Sequence, residues 1–260
     1  MAPLALLPYL WSFVTWIFAT LFCCAVVVYL IARRSPAIPL LLASPFTLWN
    51  ILAGQTGFLT ASLLGASLLF LECQPVLAGF FIGCLTYKPQ FGILVPVALA
   101  AAKQWRAVAS AVATAGLLAA ASVVAFGVSA WEAFPRGLLQ QFGVVLDAEG
   151  VPDVAANWGY LQTVYGLIRY MHGGAALAWV GQGLMSLFLG VIVWFVWRSP
   201  TRYSLKSAIL SAAAMLASPY AFTYDMAAIA IPVAFLARDQ IRCGLLWGEQ
   251  TILLGLSLRS

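Results

Sequence analysis

Three long apolar blocks, Phe18 to Ala32, Ala107 to Phe126 and Ala175 to Trp197, set the terms for this chain. Each approaches the roughly 20 residues that an α-helix needs to cross a bilayer. Hydrophobic residues make up 63% of the 260 positions and charged residues only 8%, against about 25% charged in an average soluble domain. A soluble globule of this length has nowhere to bury so much apolar surface, and the mean hydropathy of +0.98 agrees. Lipid is the expected solvent. The expected fold is all-α, a polytopic transmembrane helical bundle of about ten apolar segments, some short or broken.

The net charge of +5 does not point to nucleic acid. The basic residues are pairs and singles at the ends of apolar blocks, not an aromatic-interleaved patch. The five cysteines, Cys23, Cys24, Cys73, Cys84 and Cys243, have neither metal nor redox spacing and read as small hydrophobes. No metal and no cofactor is expected, since no His and carboxylate cluster has ligand spacing. Met1 to Pro8 lacks the basic region and cleavage site of a signal peptide. It reads as the tail of a hydrophobic segment already under way, so an upstream portion is expected to be missing.

Alternation of the segments assigns a topology. Pro8 to Ala32 ends at Arg33-Arg34, Ile38 to Ala53 leads to Gly54-Gln55, and Phe58 to Leu71 returns to Glu72. Val76 to Tyr87 and Phe91 to Ala102 are short and meet at Lys88-Pro89-Gln90, which predicts a broken element whose freed backbone groups line a cavity. Ala107 to Gly127, Ala175 to Trp197, Ala208 to Ala217, Met226 to Leu236 and Leu245 to Leu258 complete the set. This scheme gathers Arg33, Arg34, Lys103, Arg106, Arg198, Arg202, Lys206, Arg238 and Arg242 on one side, which the positive-inside rule makes cytoplasmic. The whole chain, 1–260, is expected to form one transmembrane domain. Its long non-spanning stretch, 128–174, is an external loop region. There Trp131, Phe134, Leu138, Leu139, Phe142 and Val145 recur at helical spacing and predict an interfacial amphipathic helix.

Ionised groups are costly in hydrocarbon, by about 2.5–3.5 kcal/mol on insertion scales, so those found there tend to be functional. Three polar constellations fall on the outer side of the scheme: Asn50 with Gly54-Gln55-Thr56-Gly57, then Lys88-Pro89-Gln90, then Ser218-Pro219 through Tyr224-Asp225. Their convergence predicts one external site. Lys88 is placed to bind an anionic group such as phosphate; a snorkelling interfacial lysine is its plain alternative. Asp225 is the candidate catalytic carboxylate. The sequence leaves it open as a counter-ion for Lys88 or Arg169, an acceptor for substrate hydroxyls, a general base, or a first-turn helix cap. Gln55, Gln90, Asn50, Tyr224, Arg169 and His172 are candidate substrate-binding residues. A tight turn is the plain reading of Gln55, and loop solvation that of His172.

In their order these motifs resemble glycosyltransferase family 87, a branch of the membrane C-type glycosyltransferases with polyprenol-phosphate-mannose-dependent mannosyltransferases among its members. The matching elements are Ser44-Pro45 through Gly54-Gln55, Ala78-Gly79 to Lys88-Pro89-Gln90, Trp105-Arg106, and Ser218-Pro219 to Tyr224-Asp225. The resemblance implies a membrane hexosyltransferase that moves a mannose-like hexose from a polyprenyl-phosphate sugar donor to a lipid or glycan acceptor. It also implies an active site on the external, periplasmic face of a bacterial inner or plasma membrane. By carry-over, Lys88 would lie near the phosphate, with Gln55 and Tyr224-Asp225 lining the sugar or acceptor region. Enzymes of this kind usually carry the catalytic aspartate in a first external loop that this sequence lacks. A late start, a fragment without its base, or substitution by Asp225 or an acidic residue of 132–153 would each account for that, with a late start favoured. A transporter using Lys88 and Asp225 as an ion path, or a non-catalytic membrane scaffold, are the competing readings.

Overall fold

The computed structural model describes residues 4, 6–33, 37–135, 137 and 158–243. Among them every regular element is helical: α1 (Tyr9–Ala32), α2 (Ala37–Ala43), α3 (Pro45–Ala53), α4 (Gly57–Phe70), α5 (Pro75–Cys84), α6 (Val95–Ala101), α7 (Trp105–Phe126), α8 (Val164–Tyr170), α9 (Ala175–Arg198), α10 (Tyr203–Ala217) and α11 (Ala230–Cys243). Residues 128–135 are helical as well. Short 3-10 turns at Leu85–Tyr87, Pro89–Gly92, Trp158–Tyr160 and Thr223–Ile229 join some of them.

Among the described residues three helices, α1, α7 and α9, are long and apolar enough to cross a membrane. They are the three blocks that stand out in the sequence. Their 22 or 24 residues rise about 33–36 Å at 1.5 Å per residue, enough for a hydrocarbon core of about 30 Å. The other expected segments are shorter. The second is split at Ser44-Pro45 into α2 and α3, the fifth yields only the seven residues of α6, and the ninth opens as a 3-10 turn. Leu245 to Leu258, and the part of the expected amphipathic helix from Leu138 to Val145, lie outside the described residues.

Small residues let the helices approach. A Cβ at Gly79 would collide with the Ala107 carbonyl oxygen, and one at Gly83 would lie 2.8 Å from that of Ala111. The Ser110 hydroxyl donates to the Val76 carbonyl at 2.7 Å. Contacts that advance together along both helices mean that α5 and α7 run parallel, a small-xxx-small interface in which dispersion and close backbones replace the hydrophobic effect. Elsewhere α7 presents Val112, Leu117 and Val124 outward, 67%, 72% and 88% exposed, as a lipid-facing helix does. Helix α4 is the buried opposite, with Phe58, Ala61 and Leu64 fully enclosed between α1, α5 and α11.

Helix α4 also defines two ends. Its first residue, Gly57, lies against the Tyr224 carbonyl oxygen, and near its last turn the Leu68 carbonyl accepts the Tyr203 hydroxyl at 2.5 Å. About 17 Å of helix separates them. Around Tyr203, Arg202 pairs with Asp239 at 3.2 Å, Lys206 donates to the Trp197 carbonyl at 3.3 Å, and Arg198 lies over the Trp194 ring at 5.3 Å. The basic residues of α9 and α10 thus share the end opposite the polar motifs.

Candidate active site

Lys88 stands where the backbone leaves helical geometry. Pro89 supplies no N–H and bars the preceding residue from the helical region, and Lys88 accordingly takes φ −134° and ψ 70°. Its own N–H reaches the Leu85 carbonyl at 2.9 Å, and its carbonyl accepts from the Phe91 N–H at 3.1 Å. The break predicted from Lys-Pro is therefore two 3-10 turns with the lysine between them.

Its ammonium meets Asp225, which is 137 residues away in sequence, with Nζ 2.5 Å from Oδ1. Asp225 is 1% exposed and Lys88 15%. The second carboxylate oxygen, Oδ2, accepts the Phe222 N–H at 3.2 Å, so the same side chain closes the first turn of Thr223–Ile229. The Tyr224 and Phe91 rings flank the ammonium, with centroids 5.1 and 5.7 Å from Nζ. Tyr224 in turn stacks on Phe222 at 5.4 Å. Burial lifts the Asp225 carboxyl above its ordinary value of 3.8, while the Lys88 charge and hydrogen bond and the Phe222 N–H oppose the rise. Burial likewise raises the Tyr224 phenol, and the adjacent Asp225 adds to the effect.

The Gly54–Gly57 turn packs behind this pair. Gly54 adopts a left-handed conformation, φ 63°, which closes α3. Fully buried Asn50 accepts the Gly57 N–H on its Oδ1 at 3.2 Å, which holds the turn against Tyr224. The Asn50 Nδ2 and the Thr56 hydroxyl are buried without a hydrogen-bond partner among the described residues. Gln55 is exposed on the turn. The Tyr87 hydroxyl shares a 2.7 Å hydrogen bond with Thr60, joining the start of α4 to the residue before Lys88.

Of the sequence-predicted residues, Lys88, Asp225 and Tyr224 come into contact, and Asn50 and the Gln55 turn form their backing. Gln90 is half-buried on the turn after Lys88. Arg169 and His172 serve the end of α8: the guanidinium lies 5.0 Å over the Trp158 ring and donates to the Gly173 carbonyl at 3.2 Å, while His172, at φ 61°, donates its N–H to the Arg169 carbonyl.

A model of glycosyltransferase family 87 matches residues 1–219. The chain belongs to glycosyltransferase family 87. It is a membrane glycosyltransferase, acting on a sugar donor and an acceptor. Within this family 87 chain the match includes Asn50, Gln55, Lys88, Gln90, Arg169 and His172, and it ends before Tyr224 and Asp225. No curated relative and no solved structure matches.

Sequence reasoning passed over Tyr87 and Phe91, although both flank Lys88 closely enough to share its turns. It also passed over Gln182, 2% exposed in the apolar α9. The Gln182 amide donates to the Leu216 and Ala217 carbonyls at 3.0 and 3.1 Å and accepts the Tyr165 N–H at 3.1 Å, fastening α8, α9 and α10 at the site end. A single amide inside a spanning helix is itself a signal, because an unpaired one is costly in hydrocarbon.

Proposed function

We propose that this family 87 transferase moves a mannose-like hexose from a polyprenyl-phosphate donor to a lipid or glycan acceptor, with its site on the external face. The supporting observation is the Lys88 ammonium, held at a helix break between Asp225 and two aromatic faces. A lysine so placed is a point charge for a lipid phosphate. The acceptor hydroxyl loses its proton to a base and attacks the anomeric carbon, the bond from that carbon to the phosphate oxygen breaks, and the electron pair leaves on the phosphate. Inversion at the anomeric carbon follows. Lys88 stabilises the charge that grows on the departing phosphate.

Among the roles open to Asp225, the geometry favours the counter-ion. Both of its oxygens are engaged, one by Lys88 and one by the Phe222 N–H. It is then a positioning carboxylate that fixes the ammonium and is relieved of it when phosphate binds. The external assignment rests on the separation of this site from the basic end, which the positive-inside rule makes cytoplasmic.

The test is transfer from polyprenyl-phosphate mannose by the purified full chain in lipid nanodiscs. Lys88→Ala is expected to lower transfer by about 10²–10³, the range seen when one charge-stabilising donor is removed, with Lys88→Arg retaining part of it. Undiminished transfer by Lys88→Ala removes the lysine from the phosphate site. Failure of the wild-type chain with every polyprenyl-phosphate hexose tried refutes the donor class.

A further inference from the structure

Beside the Lys88–Asp225 pair, residues 158–163 fold back onto the loop that precedes Tyr224. Leu161 and Phe222 form an antiparallel bridge, and the Gln162 N–H reaches the Ala221 carbonyl at 2.8 Å. This docking brings the Tyr160 ring onto Trp49 of α3, with centroids 5.9 Å apart and planes 22° from parallel. The two rings remain 46% and 40% exposed.

Their surroundings are polar. The Thr223 hydroxyl donates to the Tyr160 carbonyl at 3.1 Å, and the exposed Gln162 amide donates to Thr223 Oγ1 at 3.4 Å and to the Gly159 carbonyl at 3.1 Å. Gly159 and Leu161, the chain neighbours of Tyr160, line a recess of about 370 Å³ together with Trp158, Gln162, Leu167 and Leu216 among others. That volume falls within the range of small-molecule sites, about 300–1,000 Å³.

An open aromatic face, an amide and a hydroxyl side by side are what a pyranose requires. Its axial C–H bonds are attracted by the negative face of an aromatic ring, while its hydroxyls need donors and acceptors beside that ring. Tryptophan and tyrosine also gather at membrane interfaces, but there no recess with an amide on its wall is needed. Gln162 lines the recess and also touches Thr223, the residue before Tyr224, which ties the wall of the recess to the loop that carries Tyr224 and Asp225.

We infer that Trp49, Tyr160 and Gln162 form a saccharide subsite that receives a pyranose of the acceptor. The inference rests on the proposed glycosyl transfer at Lys88 and assigns the acceptor side of the same site to these residues.

Calorimetric titration of the full chain in nanodiscs with methyl α-mannopyranoside and with an α-linked mannobiose tests it directly, without turnover. Saturable binding is expected, weakened about threefold to tenfold by Trp49→Ala, the span of one aromatic contact, and by a similar factor in Gln162→Ala. Trp49→Phe, which keeps an aromatic face, should stay within about twofold of wild type by the same estimate. If Trp49→Ala does not fold, judged by thermal unfolding, Gln162→Ala at its exposed position decides the matter. No saturable binding by wild type, or equal affinity in wild type and Gln162→Ala, overturns the subsite. Transfer by wild type with unchanged saccharide affinity in the variants removes the subsite and leaves the donor assignment standing. Saccharide binding that the variants weaken, in a chain that transfers from no polyprenyl-phosphate donor, does the reverse.

Discussion

Replacing Asp225 by asparagine removes a charge while preserving almost all of the side-chain volume. The new side-chain oxygen can still accept the Phe222 N–H, so the turn at Thr223–Ile229 keeps its closure. What is lost is the counter-charge of an ammonium that retains only 15% exposure. Breaking a buried pair from one side costs about 3–5 kcal/mol because the remaining charge is left uncompensated. Here the Tyr224 and Phe91 faces still attract the ammonium, each by about 0.5–1 kcal/mol. The expected cost of Asp225→Asn is therefore about 2–4 kcal/mol. Lys88→Met strands a carboxylate that is 1% exposed and belongs at the upper end, about 3–5 kcal/mol. The double variant has no stranded charge and should lose far less than the sum, giving a coupling energy of at least about 2 kcal/mol. Unfolding of the purified chain in mixed micelles by increasing mole fraction of a denaturing detergent, for wild type and the three variants, supplies the cycle. Additivity to within about 0.5 kcal/mol would show that the two groups do not interact, and the assignment of Asp225 as the partner of Lys88 would fall.

A further outcome follows from the same geometry. Gly57→Ala drives a Cβ into the Tyr224 carbonyl and toward the Asn50 oxygen, so it should cost about 1–3 kcal/mol in detergent unfolding, as overpacking does, and lower transfer; wild-type stability would refute the close approach.

Much of the scaffold was legible because lipid imposes a simple rule. Backbone groups without water must pair within a helix, and a helix of adequate length must be apolar throughout; α1, α7 and α9 obey it and are read from composition alone. The Lys88 break was equally legible, since a proline constrains its neighbour locally. The split of the second segment at Ser44-Pro45 and the 3-10 start of the ninth were harder to read. There an apolar run continues past the point where the hydrogen-bond ladder stops, and hydropathy does not register the interruption. The partnership of Arg169 with Trp158 and Gly173 was hidden for another reason: a basic residue in a loop looks the same whether it closes a helix or meets a substrate.

The sequence by itself determined a helical membrane protein with its polar motifs and basic residues placed at opposite ends of its helices, because hydropathy, proline and charge act within a few residues of where they are written. Only the tertiary structure decided that Asp225 serves Lys88, that Asn50 faces inward to pin the Gly57 turn, and that residues 158–163 carry an aromatic ring onto Trp49. Those meetings join residues far apart in the chain. They depend on the packing of α3, α4 and the Thr223–Ile229 turn at one end of the bundle, and no local pattern records which helices will share that end.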